Sequence, residues 1–456
     1  MNFAGYYSRH FFQNNLMKKI ITFIIFGFVI IPSLFCQSDT VLVPISNKFL
    51  HHLIDHEYDS AYAFFDKSVQ EKLSVEKLKE VWSGFDKQFG QLTDHSKRSF
   101  EKQKEYEIII TTLVWEKTAL NMTLSFNKEK KIVGFFFKPA GEKKFSAVPA
   151  YAVPDKYSET PIEVKSDQYV LKGLITRPKG LTKFPLIILV HGSGPNDKDE
   201  TIGPNKPFRD IACGIATNGI AVMRYDKRTK VYAAEMSKLP NLTVVEEVLD
   251  DVVSAVKLAK TIPGVDTSKI FVLGHSLGGM LAPRIASIIP SLAGIIVMAG
   301  NSRPLEDLVL DQYKYILGLD GLTDIEKETI ANIQKQIDKL HSKNFNLETL
   351  SIELPLNLPA SYWWDLQNYH QKEVAAKLKL PMLFLQGEAD YQVTMTDFNG
   401  WKKTLEKNTA VQFISYPNLN HLFIEGPAKS VPADYEKTGN VSEKVIKDIT
   451  EWIKKQ

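Results

Sequence analysis

Cysteine is nearly absent. Only Cys36 and Cys213 occur in 456 residues, too few for a disulfide framework. A charge excess of one sign is also missing. There are 56 basic and 53 acidic side chains, and Arg9, Lys18 and Lys19 lie in the first 38 residues, which hold no acid. The rest therefore balances, and no basic surface for nucleic acid is indicated. There is no Gly-rich phosphate loop, zinc-ligand spacing or dinucleotide fingerprint, so no cofactor or metal is expected. With 44% hydrophobic and 24% charged residues, the composition is ordinary for a globular chain of two or three domains.

Long apolar runs are missing too, with one exception. Met17-Lys18-Lys19 gives a positive start, Ile20 to Leu34 is almost wholly apolar, and Phe35-Cys36-Gln37-Ser38 follows as a cleavage region. About 20 residues are needed for a span, so this run reads as an export signal over 1–38 rather than an anchor. Met17 is a plausible true start. A lipidated Cys36 would want a small residue before it, and Phe35 is bulky. The mature protein is thus expected outside the cytoplasm, periplasmic or secreted, without stable membrane association.

Two patterns follow. Over 39–138, helical spacing (Ile45, Phe49, Leu53; Leu78, Val81, Trp82, Phe85 after the N-cap Ser74) gives way to β-rich runs at Glu105–Trp115, Ala119–Phe126 and Ile132–Phe137. This predicts a small α+β domain, similar in element order to the nuclear-transport-factor-like modules that precede some secreted hydrolases. His51, His52 and His56 lie on a helix, but a solvated face is the reading preferred to a metal site. Residues 139–160, with Pro139, Pro149 and Pro154, read as a linker.

From 161 onward strands and helices alternate, which predicts a doubly wound, mostly parallel sheet: an α/β fold with its site at the carboxyl ends of the strands. Thr243-Val244-Val245-Glu246 reads as a capping box. Amphipathic helices over about 303–373, one opened by Thr323-x-x-Glu326, interrupt the pattern as an insertion placed to act as a lid. Tyr362, Trp363, Trp364 and Tyr369 at its end read as core, with an acyl pocket as the alternative. Within the repeat, Phe271-Val272-Leu273-Gly274-His275-Ser276-Leu277-Gly278-Gly279 reads as strand, tight turn and helix. The turn lifts Ser276 off the sheet, and small Gly274 and Gly278 let strand and helix pass closely.

Residues 161–456 resemble an α/β-hydrolase of the secreted serine-esterase and prolyl-oligopeptidase-like branch. The resemblance rests on His191-Gly192-Ser193-Gly194-Pro195-Asn196-Asp197, Arg224-Tyr225-Asp226-Lys227-Arg228, the Ser276 turn, Gln386-Gly387-Glu388-Ala389-Asp390 and Asn420-His421. Thr229-Lys230 departs from it, since relatives often have a glycine there. The resemblance implies the order nucleophile, acid, base. Ser276 is then the nucleophile, Asp390 the acid in preference to Glu388 or Asp397, and His421 the base. The oxyanion donors are the backbone N–H groups of Leu277 and Ser193, with Gly194 as alternative. His191 precedes the serine and reads as structural. The expected reaction is hydrolysis of a small-molecule carboxylic ester of short to medium acyl chain, with a peptide as the alternative substrate and an inactive binding module as the other class.

Overall fold

The computed structural model describes residues 36–456, apart from 96–97, 104–105, 117, 141–144 and 323. The Met17–Phe35 part of the leader and Thr323 of the second capping box lie outside the described residues. The chain divides into two compact units, Pro32–Lys144 and a larger one containing Phe145–Gln456.

In the smaller unit, α1 (Cys36–Ile54) turns Leu42, Phe49, Leu50 and Leu53 to one buried side. Ser74 caps α2 (Val75–Phe89) by accepting the Lys77 N–H at 3.2 Å, and α2 buries Leu78 and Trp82. The sheet comprises β1 (Leu92–Asp94), β2 (Arg98–Gln103), β3 (Tyr106–Trp115), β4 (Ala119–Phe126) and β5 (Ile132–Pro139). Its order is β1-β3-β4-β5, with β2 also on β3. Alternation along β4 buries Leu120, Met122, Leu124 and Phe126 against the helices. His51 and His52 lie on α1, but His56 falls in the turn past its end with φ 60°, so the three do not share a helix as the sequence suggested. Each has a local partner: His51 the Asn47 carbonyl, His52 Glu57 and His56 the Tyr58 hydroxyl.

The larger unit opens on a hairpin of β6 (Tyr157–Ser166) and β7 (Tyr169–Pro178). Here the linker reading needs correction. Tyr157–Thr160 already pair with β7, Ser146 accepts from Arg209, and the Tyr151 hydroxyl donates to the Val441 carbonyl. The prolines misled because each sits where a missing N–H costs nothing: Pro139 ends β5, the Pro149 carbonyl accepts the Ala152 N–H in a turn, and Pro154 opens the short 3-10 turn that leads into β6.

The sheet then uses β8 (Phe184–Val190), β9 (Ala221–Tyr225), β10 (Val265–His275), β11 (Gly294–Met298), β12 (Met382–Gly387) and β13 (Val411–Tyr416). Its order is β13-β12-β11-β10-β8-β9-β7-β6, with the first six strands parallel. After β8 the chain steps to one side for β9, then crosses to the other for β10. Loops leaving β8 and β10 therefore diverge, and a crevice opens at their carboxyl ends.

Residues alternate between two cores. Leu186, Ile188 and Val190 face α4 (Asp250–Ala259) and α5 (Leu277–Ile288), while Ile187 and Leu189 face α3 (Pro207–Thr217). The closing helix α11 (Glu443–Lys454) adds Val445, Ile446, Ile449, Trp452 and Ile453 to the second core. Between β11 and β12 the helical insertion carries α6 (Leu305–Leu317), α7 (Asp324–Leu340), α8 (Ala360–Gln367) and α9 (Gln371–Lys377). Helix α10 (Met395–Leu405) connects β12 to β13. No helix among the described residues is long and apolar enough to cross a membrane.

Candidate active site

At the end of β10, Ser276 takes φ 54° and ψ −115°. For a residue with a Cβ this conformation is strained and persists only where its surroundings enforce it. The Ser276 N–H donates to the Met298 carbonyl at 2.9 Å, and its own carbonyl accepts the Met280 N–H at 2.8 Å. A Cβ on Gly274 would strike the Gly278 carbonyl, and one on Gly278 the Val190 carbonyl. The close crossing needs glycine at both positions. The Ser276 side chain makes no capping hydrogen bond to α5, so the hydroxyl is not used up by the helix it opens.

Asp390 follows β12. Its Oδ1 accepts the N–H groups of Gln392 (2.7 Å) and Val393 (3.1 Å). Its Oδ2 accepts from Gln386 Nε2 at 3.1 Å and lies 2.7 Å from His421 Nδ1. His421 sits in the loop after β13, shaped by Asn420, whose Oδ1 accepts the Leu422 and Ile424 N–H groups. Asp390 and His421 are both buried, and their contact joins the two loops. The other candidate acids lie elsewhere. Glu388 accepts from the Ser415 hydroxyl, and Asp397 holds Arg303 and the Ser302 N–H.

Two groups that sequence reading passed over complete the surroundings. The His275 ring lies 4.6 Å from that of His421, centroid to centroid, and its Nε2 is 2.9 Å from the His421 carbonyl. Its Nδ1 is 2.9 Å from Glu200 Oε2, an ion-pair contact outside hydrogen-bond geometry. Both ring nitrogens thus face acceptors, which favours the doubly protonated ring. Burial is the largest influence and opposes that charge, but the Glu200 carboxylate, the His421 carbonyl and Asp390 together raise the His275 pKa. Burial likewise works against ionised Glu200, yet His275 brings its pKa below the usual range. Glu200 Oε1 also accepts the Gly192 N–H at 2.7 Å. The pair spans 75 positions of chain, and no motif spacing signals it.

The loop after β8 is held from the other side as well. Asn196 Nδ2 donates to the carbonyls of Gly192 (3.3 Å), Ser193 (3.0 Å) and Gly194 (3.3 Å). Three successive carbonyls gathered on one side turn the intervening N–H groups to the other, a nest suited to negative charge. A Cβ on Gly192 would lie 3.1 Å from the Ser276 Cβ, so this loop passes directly over the serine. Leu277, first in α5, has no acceptor within its own helix for its N–H. His191 is buried, donates from Nε2 to the Asp197 carbonyl at 3.0 Å, and faces Phe208.

The aromatic cluster at the end of the insertion divides. Tyr362, Trp363 and Tyr369 pack in the core, with the Tyr362 hydroxyl on Glu247 and the Tyr369 hydroxyl on the Met280 carbonyl, while Trp364 is 48% exposed. Next to the acid and base, Tyr391 and Leu422 instead form an apolar cluster with Ile424 and Tyr435, against which Ile202 and Tyr315 pack. Arg224, Lys227, Arg228 and Arg284 are all ion-paired, to Asp199 and Glu159, Glu247, Asp251 and Asp365. Among the described residues no three His, Cys, Asp or Glu side chains are grouped so as to hold a metal.

Known proteins match both units. Residues 46–135 match a family described as a protein of unknown function (DUF3887), and residues 205–427 match serine aminopeptidase, S33. Over 409 residues the chain is 39% identical to Esterase EstD of Thermotoga maritima, covering 89% of this chain and 94% of that one. Similar solved structures include Est1E from Butyrivibrio proteoclasticus, at 16% identity over 65% of this chain and 96% of that one, with a TM-score of 0.41. Another is Pyrococcus horikoshii acylaminoacyl peptidase, at 15% identity over 80% of this chain and 50% of that one, with a TM-score of 0.43.

Proposed function

The chain belongs to the α/β-hydrolase esterase family, and we propose that it is an exported serine hydrolase cleaving carboxylic esters of short to medium acyl chain. The observation that carries this reading is the 2.7 Å contact between Asp390 and His421, whose ring lies 4.6 Å from that of His275, the residue before the strained Ser276. A serine hydroxyl is a poor nucleophile until a base takes its proton, and the base needs an orienting carboxylate. In the proposed reaction Ser276 Oγ attacks the ester carbonyl while His421 Nε2 accepts its proton. Asp390 holds the other ring nitrogen. The N–H groups of Leu277 and Ser193 receive the developing oxyanion. The carbon–oxygen bond to the leaving alkoxide breaks, and His421 returns the proton to it. Water then releases the acid from Ser276 by the same steps.

An ester is favoured over an amide on two grounds. An alkoxide leaves more readily than an amine. The four cations closest to motif positions are already paired, leaving none of them to anchor a peptide terminus. The apolar cluster of Tyr391, Leu422, Ile202 and Tyr315 beside the acid and base favours a modest apolar acyl group. The insertion is assigned as the cover of this site. A peptidase is the second reading, favoured by the match of residues 205–427 to serine aminopeptidase. The test compares kcat/KM for p-nitrophenyl acetate and butyrate with aminoacyl and dipeptidyl p-nitroanilides. The esters should lead, with both acyl lengths accepted; a preference for anilides would make this a peptidase. Export rests on the leader composition, and N-terminal sequencing of the mature protein should find a start close to Cys36.

A further inference from the structure

Lys227 is buried just past β9. Its Nζ donates to the Gly192 carbonyl at 2.8 Å and to Glu247 Oε1 at 2.5 Å. Glu247 Oε2 in turn accepts the Tyr362 hydroxyl at 2.7 Å. All three side chains are buried, so the row spans the distance from the helical insertion, which carries Tyr362, to the loop over Ser276. A buried ion pair is weak ground for stability, because apolar packing serves as well. Its retention here asks for a second reason.

That reason lies in the peptide that Lys227 grips. Across a trans peptide the C=O and the following N–H point in opposite directions. Fixing the Gly192 carbonyl therefore fixes the direction of the Ser193 N–H, the donor assigned above to the oxyanion. Glu247 reaches Lys227 from an irregular turn. Residues Val245–Leu249 form one turn of π-helix, a feature that recurs at functional sites. Glu246 is occupied at the cap, accepting the N–H and hydroxyl of Thr243, and Glu247 points inward instead.

We propose that Lys227, Glu247 and Tyr362 are positioning residues that aim the Ser193 N–H and make its aim depend on the seating of the insertion. The proposal rests on the serine-hydrolase reading and adds to it a line of control from the insertion to the oxyanion donor. The insertion has other anchors. Ser361 Oγ donates to the Leu242 carbonyl, the Tyr369 hydroxyl to the Met280 carbonyl, and Arg284 holds Asp365 by two bonds. Removing the Tyr362 hydroxyl therefore cuts the row without unseating the helix.

The test uses the full chain and four variants: Tyr362→Phe, Glu247→Gln, their combination, and Ser361→Ala. It reads kcat and KM on p-nitrophenyl butyrate, Tm, and the affinities of a trifluoromethyl ketone and of butyrate. The ketone forms a tetrahedral adduct that needs the oxyanion donors, whereas the product carboxylate reports ground-state binding. Deleting an oxyanion donor outright lowers kcat by roughly 10²–10³-fold, so misaiming one should cost about 3- to 30-fold. Tyr362→Phe should lower kcat and ketone affinity together by that factor, leave KM and butyrate affinity within about twofold, and add little further loss in the Glu247→Gln background. Ser361→Ala should leave kcat unchanged. If Glu247→Gln does not fold, Tyr362→Phe alone decides. A lowered Tm with unchanged kcat and ketone affinity would reduce the row to a structural tie and overturn the proposal. So would a loss in KM and butyrate affinity alone, or additive losses in the double variant. Failure of the parent reading is distinct, because Ser276 would then not be labelled by a fluorophosphonate in the unaltered protein.

Discussion

His191 is next to the loop that covers the serine, and its chemistry sets a pH limit on the fold. Burial lowers its pKa to about 4 from an ordinary 6.5, so the folded state holds it neutral where the unfolded chain would protonate it. The unfolded state thus binds the extra proton between those values. Stability from this group is complete above about pH 6.5 and is lost as pH falls through about 4. His191→Gln keeps an amide donor for the Asp197 carbonyl but does not titrate. Its unfolding free energy, followed by urea titration from pH 7 to 4, should fall less than that of the unaltered chain by on the order of 3 kcal/mol. Parallel slopes would contradict the assignment. Residue by residue, Ser276, Asp390 and His421 stand out in the sequence because each ends a recognisable strand or turn. Glu200 and Glu247 do not, and His275 and Lys227 stand in visible motifs without showing their roles, because those roles come from partners far away in the chain.

Among the elements, the crossing of β10, α5 and β8 is the tightest. The Gly278 Cα faces the Val190 and His191 carbonyls, which are backbone and cannot rotate away. Gly278→Ala must push α5 off β8 and shift Ser276 with it. We expect a loss of more than about 2 kcal/mol, the range for overpacking a core, with esterase activity falling further than stability alone explains. Thermal unfolding and kcat measured together check this, and a fully active variant with unchanged Tm would refute it. The long buried strands were legible because continuous apolar runs such as Ile187–Val190 suit only the middle of a sheet. β1 and β2 were not, since Leu-Thr-Asp and Arg-Ser-Phe-Glu-Lys-Gln are short and polar and take strand form through pairing with β3. The π turn at Val245–Leu249 was not legible either, because a single wide turn of five residues is too short to show a period of its own.

At the scale of the whole molecule, the two-unit division places the boundary at Lys144/Phe145. Residues 146–156 belong with the larger unit, through Ser146 to Arg209, Tyr151 to Val441 and the Val153 N–H to Thr217. A chain of residues 145–456 should therefore fold and keep its kcat on a small activated ester. One starting at Tyr157 should melt several degrees lower, since about 1–2 kcal/mol shifts Tm by that much. Equal melting temperatures would remove residues 145–156 from the unit. The sequence reading placed this boundary late because a proline-bearing segment without periodicity looks like a linker whether or not it is packed. The central claim, that Ser276 is the nucleophile of a serine hydrolase, is tested most directly by Ser276→Ala. The folded variant should refuse fluorophosphonate labelling and lose on the order of 10⁴-fold or more in kcat on p-nitrophenyl butyrate. Near-normal turnover by folded Ser276→Ala would contradict the account.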